Sequence, residues 1–274
     1  MSQAHKQSRY QVERRANLPT SRLRCSVNAL LLSLLVNGIA WSTALAVEID
    51  WIGGDGAWED GSNWPGAVFP TADDFVTLPV GVSVTSSGNT NIAEELLSRG
   101  NLDIDDGLFT VIGTIDAFEQ FVVRPNAAVA AGRIFIQANG VFDINQDATV
   151  NVVEGVFSSG LVDIHDAGLV NAESFDNFNA WKVRAGGSAV ANSMINHGGA
   201  LLEVFDATSL LDLNGNLTNA GELEIKANGS ADIDSIDNNN RIEIVSGGSL
   251  SGNSVENFNT FRVVDNTSSW SASN

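Results

Sequence analysis

The fold is decided by a stretch near the middle of the chain, residues 161–183, which reads LVDIHDAGLVNAESFDNFNAWKV. An apolar-x-apolar triplet lies near its start at 162–164, and a second triplet closes it at 181–183. Between them, apolar residues return at Val170 and Phe175, and a turn-forming pair lies at 167–168. Because no 3.6-residue spacing is kept, the stretch predicts short strands separated by turns rather than a helix.

The same triplet recurs along the chain at an almost constant interval. Its second apolar residue, here called the anchor, returns in steps of 19, 21, 20, 19, 21, 21, 19 and 19 residues. The nine anchors are Ile104, Val123, Ile144, Ile164, Val183, Val204, Ile225, Ile244 and Val263. One such unit cannot bury its own inward face, whereas stacked units share a core and pair their backbones, with right-handed crossovers. The sequence therefore predicts an all-β fold, a right-handed parallel β-helix (β-solenoid) of about nine coils of roughly 20 residues.

The middle residue of each triplet is expected to point outward, because side chains alternate along a strand. Stacking would align these residues about 5 Å apart. In chain order they are Asp103, Val122, Asp143, Asp163, Lys182, Glu203, Glu224, Glu243 and Arg262. Six of the nine are acidic, and we expect Lys182 and Arg262 to relieve part of their repulsion. We expect a solvated acidic face without a cofactor; the alternative is a face that binds Ca²⁺, although no known calcium loop occurs.

Three phenylalanines occupy one recurring position of the coil. Phe118, Phe178 and Phe258 are 60 and 80 residues apart, which places them at one corner of coils three and four apart. We expect these rings to fill corners of the core. The alternative is an exposed aromatic ladder on which sugars could stack.

The first 46 residues have the order of a secretory signal peptide. Six basic residues precede an apolar run that begins near Ala29, and an A-x-A site at Ala44 and Ala46 closes the segment. We expect cleavage before Val47 and a protein that is secreted or held at the cell surface; an uncleaved membrane anchor is the alternative. The only cysteine, Cys25, would leave with this segment, so no disulfide partner is expected.

The mature chain, residues 47–274, would be strongly acidic. The whole sequence has 14 Lys and Arg against 33 Asp and Glu. Loss of the first 46 residues removes six of the basic residues and one of the acidic ones, which leaves 8 and 32 and a formal charge of −24. Such a surface repels nucleic acid and anionic lipid. We therefore expect no nucleic-acid partner and a mature part that is not embedded in a membrane.

Residues 47–100 precede the regular coils of residues 101–274 and differ from them in composition. Trp51, Trp58 and Trp64 lie within 14 glycine-rich residues. The first coil of a solenoid has an open edge that must be covered. We expect this block to form the first strands and the N-terminal cap; a tryptophan platform for carbohydrate is the alternative.

The block also carries a family resemblance. Residues 51–58, WIGGDGAW, are followed by Asn63-Trp64 and by PTADDFV at 70–76. This arrangement resembles the opening block of many bacterial secreted β-helix proteins, including autotransporter passengers. The resemblance implies a right-handed β-helix exported to the cell surface or medium. The sequence stops at Asn274 in mid-pattern, so export by the autotransporter route is not implied.

A catalytic β-helix is the main alternative to a structural one. A polysaccharide hydrolase needs paired carboxylates in a cleft, and a lyase needs a base with clustered cations. The acidic pairs at 73–74 and 105–106, and the pair His165-Asp166, all lie beside turn residues, where Asp favours local hydrogen bonds. The sequence thus predicts a non-catalytic structural or adhesive rod with a cell-surface or carbohydrate ligand. The alternative is a carbohydrate-active β-helix of the polysaccharide lyase or glycoside hydrolase type.

Overall fold

The computed structural model describes residues 46–88 and 91–272. These residues form an all-β solenoid in which parallel strands stack in about ten turns, roughly 20 residues apart. The predicted fold class is confirmed. Most of the predicted signal segment, including Ala44 of its cleavage site, lies outside the described residues. Ala46 and Val47 are exposed and precede the first strand.

The described residues contain 27 strands and two short 3-10 helices. The strands are β1 (Glu48–Asp50), β2 (Gly56–Ala57), β3 (Phe75–Leu78), β4 (Ser83–Ser86), β5 (Asn91–Ala93), β6 (Glu95–Ser98), β7 (Asn101–Ile104), β8 (Leu108–Ala117), β9 (Gln120–Val123), β10 (Ala128–Ile136), β11 (Val141–Ile144), β12 (Thr149–Ser158), β13 (Leu161–Ile164), β14 (Leu169–Asn171), β15 (Ser174–Asn177), β16 (Ala180–Val183), β17 (Ser188–Ala191), β18 (Ser193–Asn196), β19 (Leu201–Phe205), β20 (Leu210–Asn219), β21 (Glu222–Lys226), β22 (Ser230–Asn238), β23 (Arg241–Ile244), β24 (Ser249–Gly252), β25 (Ser254–Asn257), β26 (Thr260–Val263) and β27 (Ser269–Ala272). The 3-10 helices, Gly61–Asn63 and Pro65–Ala67, lie between β2 and β3.

The strands form two parallel sheets. The first sheet has 11 strands, in the order β2-β4-β7-β9-β11-β13-β16-β19-β21-β23-β26, and contains the triplets. The second sheet has 16 strands and contains the other two apolar stretches of each coil. Within the first sheet, Ile164 lies opposite Ile144 on one side and Val183 on the other. Every anchor faces its counterpart in the next coil in this way, which confirms the register predicted from the period.

An irregularity in strand pairing, here called the bend, separates the second and third apolar stretches of a coil. In β10 the pairing register shifts between Ala131 and Arg133, whereas β14 and β15 are separate strands in their coil. Gly132 lies at the bend, where an added Cβ would come within 2.5 Å of the Ile112 carbonyl oxygen in the preceding coil. Glycine permits this close backbone approach. Each regular coil therefore has the three stretches that the sequence predicts.

The inward side chains form one continuous apolar core along the stack. Phe121 and Phe142, for example, are fully buried and lie parallel, with ring centroids 4.7 Å apart and an interplanar angle of 10°. Strands of neighbouring coils are about 4.8 Å apart, so equivalent inward side chains touch from coil to coil. Burial of this apolar surface is the main force that holds the coils together.

A column of asparagines runs inside the second sheet and is here called the asparagine ladder. Its members, at one register position of successive coils, are Asn177, Asn196, Asn219, Asn238 and Asn257. The side-chain amide of each of the first four donates to the next Oδ1, over 2.6–2.7 Å. It also donates to a backbone carbonyl oxygen, over 2.9–3.0 Å. These four residues are fully buried, so the ladder satisfies polar groups that would otherwise be costly inside the core.

The three tryptophans of the N-terminal block are buried against the first coils. Trp51, Trp58 and Trp64 are 3%, 1% and 1% exposed, and Trp64 meets the other two edge to face, with centroids 4.8 and 4.9 Å away. Trp58 also contacts Phe109 at 5.0 Å, and the Trp64 Nε1 donates to the Trp58 carbonyl oxygen over 2.8 Å. Because their ring faces are covered, these indoles offer no platform for carbohydrate. The role of this block as an N-terminal cap stays a prediction.

The expectation that three phenylalanines fill corners of the core is wrong. Phe118, Phe178 and Phe258 are 38%, 50% and 70% exposed. The physical reason is strand alternation: the residue before each ring ends the strand, and Asn177, for example, takes the inward position. The Phe178 ring stacks on the His197 imidazole instead, with centroids 3.8 Å apart and an interplanar angle of 10°.

Candidate functional site: the charge column

The outward residues of the triplets form one column on the outer face of the first sheet, here called the charge column. Its members, in stacking order, are Asp103, Val122, Asp143, Asp163, Lys182, Glu203, Glu224, Glu243 and Arg262. Lys182 thus lies opposite Asp163 on one side and Glu203 on the other. The charge column thus contains all the residues that the sequence predicts to point outward from the triplets.

Two carboxylates of the column are bound by an arginine that directly follows the anchor of the next coil. Arg124 binds Asp103 with its Nη2 at 2.6 Å and its Nε at 2.9 Å. Arg184 binds Asp163 in the same two-pronged way, over 2.8 and 2.9 Å. Paired guanidinium–carboxylate bonds are stronger and more directional than a single ion pair. The hydrogen bond to Asp163 raises the pKa of Arg184, and the corresponding bond raises the pKa of Arg124.

Lys226 binds a carboxylate of the preceding coil in the same way, further along the stack. It follows the anchor Ile225, and its ammonium group binds Glu203 of the preceding coil and, at 3.3 Å, Glu224 of its own strand. The hydrogen bond to Glu203 raises the pKa of Lys226, although burial opposes the shift. The cation that neutralises a given carboxylate therefore comes from the end of the strand in the next coil.

Lys182 lies between Asp163 and Glu203 as predicted but forms no close ion pair with either, and its relief of their repulsion stays a prediction. Among the described residues, no carboxylate oxygen lies within 4 Å of its ammonium group, because Arg184 and Lys226 bind the flanking carboxylates first. Lys182 instead borders a shallow depression of about 380 Å³ that Phe205 also lines. The sequence carried a signal for the true partners, since a basic residue directly follows the anchor in these coils.

The last coils of the column are tied together by arginines within it and beside it. Arg241 binds Glu222 at 3.2 Å, Glu224 at 2.6 Å and Glu243 at 2.5 Å. Arg262, the last member of the column, approaches Glu243 at 3.4 Å. The expected relief by Arg262 is therefore present, but Arg241 is the closer partner. One guanidinium group that bridges three carboxylates makes this part of the column a network rather than a set of separate pairs.

A histidine takes the same position in one further coil. His165 follows the anchor Ile164; its Nε2 lies 2.8 Å from an Asp143 oxygen of the preceding coil, and its Nδ1 lies 2.8 Å from an Asp166 oxygen. Burial opposes the charged imidazole, but the hydrogen bonds to Asp166 and Asp143 outweigh it and raise the pKa of His165. The pair His165-Asp166, weighed above as catalytic, is thus engaged with the charge column.

The other acidic pairs make local turn contacts. Asp74 is buried and accepts hydrogen bonds from the Thr71 amide and hydroxyl groups, both at 2.7 Å. Asp106 accepts a hydrogen bond from the Gly107 amide at 2.7 Å. Such bonds are typical of aspartates that shape turns. Within residues 46–88 and 91–272, no three His, Cys, Asp or Glu side chains are grouped to hold a metal ion.

Comparison with known proteins gives no relative from which a function could be transferred. No family model, curated protein or solved structure matches this chain. In the part of the chain that the structure describes, no helix is long and apolar enough to cross a membrane.

Proposed function

We propose that this chain is a non-catalytic β-solenoid rod that acts outside the cell as a structural or adhesive element. The observation that carries the proposal is the pairing within the charge column. Each of its acidic side chains is bound by a cation or an imidazole, in nearly every case from a neighbouring coil. Carboxylates held in this way connect coils and are poorly placed to transfer protons to a substrate.

The dimensions of the solenoid support a rod. Eleven strands of the first sheet at about 4.8 Å per coil give a stack roughly 50 Å long. The anchors recur every 19 to 21 residues, so the turns between strands are short. Binding and catalytic clefts on scaffolds of this kind are usually built by longer loops. Uniform coils instead provide long, regular outer faces.

Action outside the cell is supported by the sequence. The order of charge, apolar run and small residues in 1–46 is that of an export signal, and residues 51–76 resemble the opening block of exported β-helix proteins. A surface with few cations keeps such a rod soluble and apart from nucleic acid. The ligand, where the rod acts as an adhesin, would be a cell-surface or carbohydrate component.

The proposal is tested by two measurements on the protein. Purified protein is incubated with neutral and acidic polysaccharides, and new reducing ends and unsaturated uronates are assayed. We expect neither product; release of either one would assign the carbohydrate-active alternative. Cell fractionation with N-terminal sequencing is expected to find the chain outside the cell, beginning at Val47. A chain that keeps Met1 and stays inside the cell would overturn the extracellular role.

A further inference from the structure

One outer face of the second sheet changes from largely apolar to largely polar along the stack. A single file of outward residues on the third apolar stretch, here called the outer file, contains in stacking order Thr77, Leu97, Asp116, Phe135, Phe157, Asp176, Ile195, Thr218, Asp237 and Glu256. Leu97, Phe135 and Phe157 make its N-terminal half apolar. Apart from Ile195, its C-terminal half is polar.

Leu97, Phe135 and Phe157 are half-buried, and exposed apolar side chains border them. Phe75, in the coil before Leu97, is 38% exposed. Ile112 and Val153, at the bend that borders this face, are 49% and 78% exposed. A depression of about 440 Å³ lies between Phe75 and Leu97. A group of exposed and half-buried apolar side chains on one face, bordered by polar groups, marks a candidate interaction site.

The arrangement of the rings argues against sugar stacking. Phe135 and Phe157 lie face to face, with centroids 4.9 Å apart and an interplanar angle of 20°. The guanidinium group of Arg133 lies 5.9 and 5.8 Å from the two ring centroids and is paired with Glu154. A sugar needs an open ring face, whereas these rings cover each other and present mainly their edges. Leu97 precedes them in the file with Asp116 in between, so apolar and acidic groups alternate along this face, as suits protein side chains.

The charge of the same surface selects among protein partners. Glu48, Glu95 and Asp116 line the depression, and none of the described residues that line it is basic; Arg133, beside the two phenylalanines, is paired with Glu154. Asp116 accepts a hydrogen bond from the Gln137 side chain at 2.6 Å and is not neutralised by it. Opposite charge on a partner would steer it to this face, and charged groups of the same sign would be repelled.

We propose that the N-terminal half of the outer file is a docking surface for a basic polypeptide segment that also carries apolar side chains. The inference rests on the proposed rod function and names the class of partner that the rod would hold. Apolar anchors would lie over Leu97 and the two phenylalanines, and Lys or Arg side chains would face Glu95 and Asp116. A neutral saccharide would not use these carboxylates as charges.

The test uses the purified protein and three probes of defined chemistry. They are a peptide of alternating lysine and leucine, an oligolysine of the same length and cellohexaose. Affinities are measured by calorimetry at about 0.1 M salt, where the Debye length is about 10 Å. We expect the lysine–leucine peptide to bind most tightly. Equal affinity for oligolysine would reduce the effect to general attraction by an acidic protein, and tighter binding of cellohexaose would favour a saccharide; either result overturns the proposal.

Matched variants locate the site. Leu97→Ser is expected to weaken binding of the lysine–leucine peptide about tenfold, whereas Ile195→Ser, in the other half of the file, changes it less than about twofold. Glu95→Gln with Asp116→Asn should weaken binding about fivefold, and less at high salt. Thermal melts verify that each variant is folded. Equal losses of peptide affinity in Leu97→Ser and Ile195→Ser would show that the peptide does not bind at the N-terminal half of the outer file.

A second charge control separates this inference from the proposed function. Asp237→Asn with Glu256→Gln removes the same charge from the C-terminal half and is expected to leave peptide binding unchanged. If no peptide binds while polysaccharides stay intact, the docking surface is refuted and the rod proposal stands. If polysaccharide is cleaved, the rod proposal fails whatever the peptide does.

Discussion

The asparagine ladder makes a sharp prediction at Asn219. Its side chain donates to Asn238 over 2.7 Å and to the Arg241 carbonyl oxygen over 3.0 Å, and it accepts from Asn196 over 2.7 Å. Asn219→Ala removes all three bonds and leaves buried polar groups of its neighbours short of a partner. An unsatisfied buried group costs about 1–3 kcal/mol, and the space left by the carboxamide adds to this. We expect the free energy of unfolding to fall by about 2–4 kcal/mol.

Asn257 provides the matched control, because it belongs to the same ladder but lies in the exposed last coil that the structure describes. Its amide donates to the Asn259 carbonyl oxygen over 3.0 Å, and its Oδ1 accepts from Asn238. Water can replace these bonds, so Asn257→Ala should cost no more than about 1 kcal/mol. Urea unfolding followed by far-ultraviolet circular dichroism measures both variants. Equal costs, or no cost at Asn219, would refute the role of the ladder.

Three further predictions concern the charge column and the tryptophans. Arg184→Met should lower the free energy of unfolding by about 1 kcal/mol and Lys182→Met by less, and the difference should shrink as salt is added. Melting curves of the two variants that agree at low salt would contradict the Arg184–Asp163 pair. The pKa of His165 is raised in the folded protein, so its contribution to stability is fully present below the unfolded-state pKa of about 6.5 and is lost as pH rises through the folded-state pKa. Wild type should therefore lose stability relative to His165→Gln over that range. Parallel pH profiles of the two proteins would contradict the bridge from His165 to Asp143. Trp64→Phe removes a buried hydrogen bond, whereas the Trp181 Nε1 has no hydrogen-bond partner among the described residues. Urea midpoints should therefore show that Trp64→Phe costs about 1–3 kcal/mol more than Trp181→Phe, and the reverse order would refute this account.

The coil register could be predicted because burial imposes it. An anchor such as Ile164 must face the core, and strand alternation then sends Asp163 outward in every equivalent strand. A shift of one residue would exchange the two faces, so the sequence tolerates a single register. The same logic places Lys182 between two acids, and the structure agrees.

The partners within the charge column could not be read from that register. A long side chain can bind a carboxylate that is not its direct neighbour in the register. Arg184, at the end of the strand, donates two parallel hydrogen bonds to Asp163, whereas the single ammonium group of Lys182 cannot form such a pair. The asparagine ladder was missed for a related reason. Asparagine is a common turn residue, and Asn177 lies just before a turn, so its inward direction becomes visible only when coils are stacked.

These contacts also distinguish the two outer faces as places where a partner could bind. Arg124 and Arg184 each reach back to an acid of the preceding coil, so the outer face of the first sheet is occupied by bonds between coils. Stability in such a stack is the sum of the coils and their nearest-neighbour contacts, and a ligand that competed for these carboxylates would weaken the rod. Leu97 and Phe157, on the second sheet, take part in no ion pair. A partner that binds there would leave the ion pairs of the first sheet in place, which favours the outer file for the proposed recognition.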